Sequence, residues 1–262
     1  MAHEKLVHEI DLNCDAGESF GHWPMGDDAT LIPLMTSVNI ACGAHAGDPL
    51  VMHRTLLLAK ELNVAVGAHP GYPDLHGFGR RAMALTPDEV EAWTLAQLGA
   101  LDAIARSVGV VLRHVKPHGA LYNTAADDET QTAAVVRAVR AFNPDLTLVA
   151  RAGSGMVTAA REAGLRVAEE AFVDRGYDSK GRLLSRSHPN AMVSDPQVAA
   201  VRAVTLLQTG TLAAADGATL RIHPQTLCVH SDTNGAAAIA SAVRTALSMA
   251  GIALRPLHEL AH

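Results

Sequence analysis

Carboxylates, histidines and one lysine close a series of short apolar runs along this chain, and together they have the makings of a hydrolytic site. Asp11, Asn13 and Asp15 fall on one face of HEIDLNCD, because side chains two apart on a strand point the same way. Asn39 and His45 follow in VNIACGAH if the strand direction persists, and His69 closes VAVGAH. His114, Lys116 and His118 alternate in RHVKPHG, Glu170 and Asp174 align in EEAFVD, and His230 aligns with Asp232 in CVHSD. Each run begins apolar and turns polar toward its C-terminal end. An isolated charge in a buried sheet costs several kcal/mol of desolvation, so such groups pair, bind a ligand or face a wet mouth. Convergence on one mouth satisfies them all.

Two chemistries suit this set. In one, Asp15 acts as general base for water, Lys116 or a histidine steadies a developing oxyanion, and a histidine protonates a leaving nitrogen. In the other, Asp15, His45 and His69 hold a divalent metal with a position open for water, although none of the three sits in an H-E-x-x-H pair that would fix two ligands on one element. Both are hydrolysis. Asp15, His45, His69, Lys116 and His118 are the catalytic candidates, and Asn13, Asn39, Glu170, Asp174, His230 and Asp232 the substrate contacts. His114, early in its strand, reads as a hydrogen-bonded core histidine, and Asp11 as a group that orients its neighbours. Two loops add cations: HGFGRR brings Arg80 and Arg81 with glycines that let backbone approach an anion. The stretch DRGYDSKGRLLSR brings Arg175, Tyr177, Lys180 and Arg186 as a lid or clamp.

Other chemistries find little support. No G-x-x-x-x-G-K-[ST] phosphate loop occurs. Cys14, Cys42 and Cys228 are odd in number and far apart, which argues against a disulfide framework or a zinc knuckle and reads as buried thiols; a nucleophilic cysteine has nothing to support it. A net charge of -6 without Lys/Arg clusters, and 3% aromatic residues, disfavour nucleic acid. No stretch of 18 apolar residues and no signal-type N-terminus is seen, so the expected location is cytoplasmic.

The elements that must position these groups alternate. Strand-like runs HEIDLNCD, SVNIACG, NVAVGAH, VLRHVKPHG, LTLVARA, RVAEEAFVD and TLCVH are separated by helical segments. Asp48-Pro49, the capping box Thr86-Pro87-Asp88-Glu89 and Asp195-Pro196 open three helices, the second running to about Ser107. Ala-rich periodic segments lie near 127–142, 154–163 and 234–250. Alternation of this kind means βαβ units and a parallel sheet covered by helices. Seven units, with no G-x-G-x-x-G turn after the first strand, favour an α/β fold of the seven-stranded parallel (β/α)-barrel type, TIM-barrel-like, over a doubly wound sheet. A 48% hydrophobic chain with no linker composition is expected to form one domain over residues 1–262. ATLRI, 218–222, adds a candidate short strand before the seventh.

The blocks IDLNCDAGESFG (10–21), NIACGAHAGDP (39–49), GAHPGYPDLHGFGRR (67–81), VKPHGALYN (115–123), EEAFVDRGY (169–177) and CVHSDT (228–233) resemble, in order, the signature blocks of the LamB/YcsF lactam-utilisation family, identified as the A component of bacterial 5-oxoprolinase. The resemblance implies a seven-stranded barrel related to polysaccharide deacetylases. It also implies ATP-dependent opening of 5-oxo-L-proline to L-glutamate with partner subunits B and C. Since no nucleotide loop is recognisable here, ATP would be handled mainly by the partners. Phosphorylation of the lactam oxygen would make the carbon electrophilic, the carboxylate and histidines of this chain would deliver water and protonate the ring nitrogen, and Arg80 or Arg81 would hold the substrate carboxylate or phosphate. The chain departs from the family pattern at Ala44, where a bulky aromatic is expected, at Ser231, where glycine is expected, and around 187–190. Alternative readings are a stand-alone metal-dependent deacetylase or amidohydrolase, and a non-catalytic sugar- or anion-binding subunit.

Overall fold

Strands buried on both faces cannot show a clean alternation of apolar and polar residues, and in this chain the inner face is polar while the outer is aliphatic. The computed structural model describes residues 7–233 and 235–260. Among the described residues ten strands follow in chain order: β1 (Glu9–Ala16), β2 (Ser37–Ala41), β3 (Ala65–His69), β4 (Leu112–Val115), β5 (Thr147–Arg151), β6 (Arg166–Phe172), β7 (Thr211–Ala213), β8 (Thr219–Arg221), β9 (Thr226–Val229) and β10 (Ala253–Leu254). β1 to β6 pair in sequence, all parallel, β9 pairs with β6, and β9 closes the ring by pairing parallel with β1. The expected seven-stranded barrel therefore forms, and the doubly wound alternative does not. The extra strand read in ATLRI pairs antiparallel with β7 outside the barrel. β10 adds two residues alongside the start of β1.

Eight α-helices accompany these strands among the described residues: α1 (Asp28–Leu31), α2 (Pro49–Glu61), α3 (Pro87–Ser107), α4 (Gly119–Asp127), α5 (Glu129–Phe142), α6 (Gly155–Glu162), α7 (Pro196–Thr209) and α8 (Ala236–Met249). The caps behave as their chemistry requires. Asp48 accepts from Leu50 N and Val51 N, Asp195 from Gln197 N and Val198 N, and Thr86 with Glu89 closes a reciprocal capping box. α4 was not expected: it begins at Gly119 with no side-chain cap, directly after the polar end of the fourth strand. Ile10, Leu12, Val38, Ile40, Val66 and Leu148 point out of the barrel into one core shared with the helices, where α3 contributes Leu98 and Leu101. Each such fully buried aliphatic side chain adds about 1.5–3 kcal/mol.

Inside the barrel a hydrogen-bonded layer replaces apolar packing. Asp11 Oδ1 accepts from Thr36 Oγ1 at 2.7 Å and Ser37 Oγ at 2.6 Å, and its Oδ2 accepts from Thr226 Oγ1 at 2.5 Å. Asn13 Nδ2 donates to Glu170 Oε1 and Asn39 Nδ2 to Asn13 Oδ1, while His114 Nε2 meets Asn39 Oδ1 at 2.8 Å. Asp11 and His114 are thus structural, as their positions early in the strands suggested. Gly67 is needed here: a Cβ on it would lie 2.2 Å from the His114 ring. This network holds the inner groups in register, and the residues one step further along each strand reach the mouth.

Candidate functional site

A cavity of about 480 Å³ opens at the C-terminal ends of the strands, lined among others by Asp15, His69, Lys116, His118, Tyr122 and Phe172. Arg80, Arg175, Arg186 and His230 also reach it, and Leu183 to Arg186 form one wall. Asp15 is the penultimate residue of β1, His69 ends β3, and Lys116 and His118 lie just past β4, so separate βα units deliver these groups to one place.

Lys116 is the hub. Its Nζ sits 2.9 Å from Asp15 Oδ1 and 2.9 Å from Glu170 Oε1, with Cys228 Sγ at 3.1 Å. Burial opposes the ammonium, but Asp15 and Glu170 outweigh it and hold the lysine well above its ordinary pKa. Burial raises the Cys228 thiol well above its own ordinary value, so it stays protonated. Asp15 is buried too, yet His69 and Lys116 hold its carboxyl well below the usual range. Its Oδ1 takes Lys116, Asn39 Nδ2 at 2.9 Å and a 3.4 Å contact to His69 Nε2. A carboxylate held so firmly ionised is a weak base; it fixes the lysine and carries negative charge at the cavity floor.

A second cluster adjoins it, built from Glu18, His45, His69 and His118, all buried, with candidate ligand atoms within 4.8 Å of one another. Glu18 escaped the sequence reading because it lies in the loop after β1, where no strand periodicity extends; its only signal was an acid three residues past Asp15. Burial first, then the charge of Asp15, push its carboxyl up to about 7. Burial and the neighbouring rings hold His45 and His118 well below the ordinary histidine value, hence neutral. His45 does not arrive by strand alternation: β2 ends at Ala41, and the chain turns through Gly43 and Gly47 at positive φ. The glycines of HGFGRR also do something other than admit an anion. A Cβ on Gly79, at φ +63, would lie 2.7 Å from both His118 and His45, so the loop packs onto the imidazoles. Phe78, at φ +55, turns its carbonyl to His118 Nε2 at 2.8 Å.

The rim carries arginines. Arg80 Nη2 donates to Asp232 Oδ2 at 2.6 Å, and Arg186 Nη2 reaches Asp232 Oδ1 at 3.3 Å, so one carboxylate faces two guanidiniums on the cavity wall. Arg81 points elsewhere: its Nε donates to Asp74 Oδ1 at 3.0 Å and its side chain is 69% exposed, because Asp74 in the same tight turn captures it. Arg175 is tied to the backbone oxygens of Ala191 and Leu184, bracing the 174–186 segment, while Lys180 is exposed at that segment's turn. Asp174 accepts from His230 Nδ1 at 3.0 Å and from Thr233 Oγ1 at 3.0 Å, which orients His230 against the cavity and stacks it on Phe172. Tyr122 donates to Glu170 Oε2 at 2.7 Å. Tyr122 and Phe172 were also missed, since an aromatic beside a signature residue reads as core. Among the described residues no helix is long and apolar enough to cross a membrane.

Comparison with known proteins gives a consistent result. The model of the LamB/YcsF family matches residues 10–262. A Chloroflexus aggregans protein, named as the A subunit of 5-oxoprolinase, is 54% identical over 246 residues, covering 94% of this chain and 98% of the relative. A protein of the same name from Acinetobacter baumannii is 49% identical over 247 residues, covering 94% and 97%. The crystal structure of a lactam utilization protein from Thermus thermophilus superposes with a TM-score of 0.89 at 47% identity, covering 94% of this chain and 99% of that one.

Proposed function

Because this chain belongs to the LamB/YcsF family, as the match over residues 10–262 shows, we propose that it is the A-type component of an ATP-dependent 5-oxoprolinase. With subunits B and C it would open the ring of 5-oxo-L-proline to L-glutamate. The observation that carries this reading is the cavity itself, where Lys116, Asp15, His69, His118 and His230 converge behind an arginine rim. Its volume falls within the usual range for small-molecule sites, about 300–1,000 Å³. One carboxylate against two guanidiniums leaves the rim positive, suited to a substrate carboxylate or a phosphate that displaces Asp232 from Arg80 or Arg186. Phe172 and Tyr122 offer the apolar surface that a five-membered ring needs. The Lys116 ammonium is fixed in advance to steady negative charge on the lactam oxygen.

Ring opening then requires a water and a proton. The Glu18, His45, His69 and His118 cluster is the place where water is activated. Water adds to the ring carbonyl carbon, the carbon–nitrogen bond breaks, and the nitrogen takes a proton from His230, whose Nδ1 is held by Asp174. Transfer of the ATP phosphoryl group to the lactam oxygen beforehand makes that carbon electrophilic, so ring opening leaves a γ-glutamyl phosphate that a second water hydrolyses to glutamate and phosphate, and we assign ATP handling mainly to the partners. We place the protein in the cytosol, where its three unpaired cysteines remain reduced.

A second reading, a stand-alone metal-dependent amidohydrolase, draws on the same buried cluster of potential ligands. The test mixes this chain with candidate B and C subunits, ATP and 5-oxoproline, and follows glutamate by amino-acid analysis. Glutamate should form only in the complete mixture. Product from this chain alone would favour the second reading, and none from a properly assembled complex would refute the first.

A further inference from the structure

Ring tautomers around Glu18 are fixed by their neighbours, and they leave three acceptors facing one another. His69 Nδ1 lies 2.6 Å from the Lys116 carbonyl oxygen, which can only accept, so that nitrogen carries the proton and Nε2 presents a lone pair. By the same reasoning His118 donates from Nε2 to the Phe78 oxygen, and its Nδ1 presents a lone pair. These two lone pairs meet at 3.0 Å. Glu18 Oε1 stands 3.4 Å from His118 Nδ1 and is buried without a hydrogen-bond donor. Three converging acceptors with no hydrogen-bonded donor call for a cation, since a buried acceptor left unpaired is destabilising.

We propose that His69 Nε2, His118 Nδ1 and Glu18 Oε1 form the three-ligand centre of a divalent transition-metal ion, with His45 stacked beside it as a non-ligand. Spacing supports this: metal bonds of about 2.0–2.2 Å set neighbouring ligand atoms about 2.9–3.5 Å apart at angles between square and tetrahedral. The separations in this site are 3.0 Å and 3.4 Å. His45 is excluded by its ring plane. It lies parallel to His118 at 3.7 Å with 2° between the planes, so an ion in the plane of one ring stands outside the plane of the other. His118 is the anchored member of that pair, whereas His45, although its Nε2 also lies 3.4 Å from Glu18 Oε1, has neither ring nitrogen held by a hydrogen bond. Asp15, expected from the sequence to ligate with His45 and His69, is already held at Oδ1 by the Lys116 ammonium, which would repel a second cation there.

The outer contacts complete the arrangement. Ser231 Oγ donates to Glu18 Oε2 at 3.0 Å, leaving Oε1 free for the ion. Two histidines and one carboxylate suit zinc, iron(II), cobalt or nickel and leave positions open. His69, His118 and Asp15 line the cavity, so those positions face it. The centre is inferred from donor geometry alone and holds whether or not the substrate is a lactam.

Its test uses the whole chain, treated with chelator and titrated with cobalt(II) chloride, following heat of binding, metal-to-protein ratio and visible absorption. One cobalt per chain with d–d bands is expected. Glu18→Gln and His118→Ala should each weaken binding by at least about 100-fold, and Ser231→Gly by about 10-fold, as loss of an outer contact does. His45→Ala should stay within about threefold of the parent. Wild-type protein that binds no cobalt would overturn the centre in favour of a proton shared between His69 and His118. A His45→Ala loss as large as that of His118→Ala would overturn the ligand assignment. Should a ligand variant fold poorly by circular dichroism, the Ser231→Gly shift decides: binding unchanged from the parent overturns Glu18 as ligand.

Discussion

Replacing Lys116 with methionine removes the charge that contacts both buried carboxylates while preserving most of the side-chain volume. The ammonium touches Asp15 Oδ1 and Glu170 Oε1 at 2.9 Å each, and all three side chains are at most 7% exposed. At an effective dielectric near 20, each contact corresponds to a gross attraction of about 6 kcal/mol. Desolvation of the ammonium offsets several kcal/mol of that sum, and removal of one partner from such a buried pair leaves a net loss of about 3–5 kcal/mol. Urea denaturation monitored by circular dichroism at neutral pH measures it. The accompanying cycle with Glu170→Gln isolates the pair: the double variant should be more stable than the sum of the singles by about 1.5–3 kcal/mol, because the glutamine no longer brings an uncompensated charge. A single-variant loss below about 1 kcal/mol, or a coupling within about 0.5 kcal/mol of zero, would refute the picture of Lys116 as the electrostatic hub.

Asp11 is buried at the barrel's centre, and desolvation raises its carboxyl from 3.8 to about 6 despite the bonds from Ser37, Thr226 and Thr36. A carboxyl that holds its proton more tightly folded than unfolded makes stability fall as pH rises between about 4 and 6, by up to about 3 kcal/mol. The stability difference between wild type and Asp11→Asn should therefore shift by that amount across the window and level off above it; a pH-independent difference in urea titrations would contradict the assignment. Asp174→Asn disturbs the tautomer of His230 and should lower kcat of the reconstituted enzyme by about 10²-fold or more with KM changed only a few-fold, the usual range for loss of a positioned acid being about 10²–10⁴. Unchanged kcat would remove His230 from proton transfer.

Much of this site was legible because parallel strands make position and direction redundant. Parity placed Asp11, Asn13 and Asp15 on one inner face, and the apolar-to-polar gradient marked which end of each strand forms the mouth. The helix starts at Asp48, Thr86 and Asp195 were legible from their side-chain caps, whereas the uncapped start at Gly119 was not. What the sequence concealed lies in loops. Glu18 and His45 come into position through turns set by glycines at positive φ, and Arg81 leaves the site because Asp74 in the same turn binds it first. Tertiary contact, not spacing, decides such cases.

The most direct test of the barrel mouth as the reaction centre is glutamate formation by the complex assembled with Asp15→Asn in place of the wild-type chain. Asparagine keeps the shape and the Lys116 contact but removes the charge at the cavity floor, so the complex should assemble with normal stoichiometry and produce glutamate about 10²-fold more slowly or worse. Turnover within about twofold of wild type from that assembled complex would contradict the account, since a change of this kind at a reacting centre is worth far more than that factor.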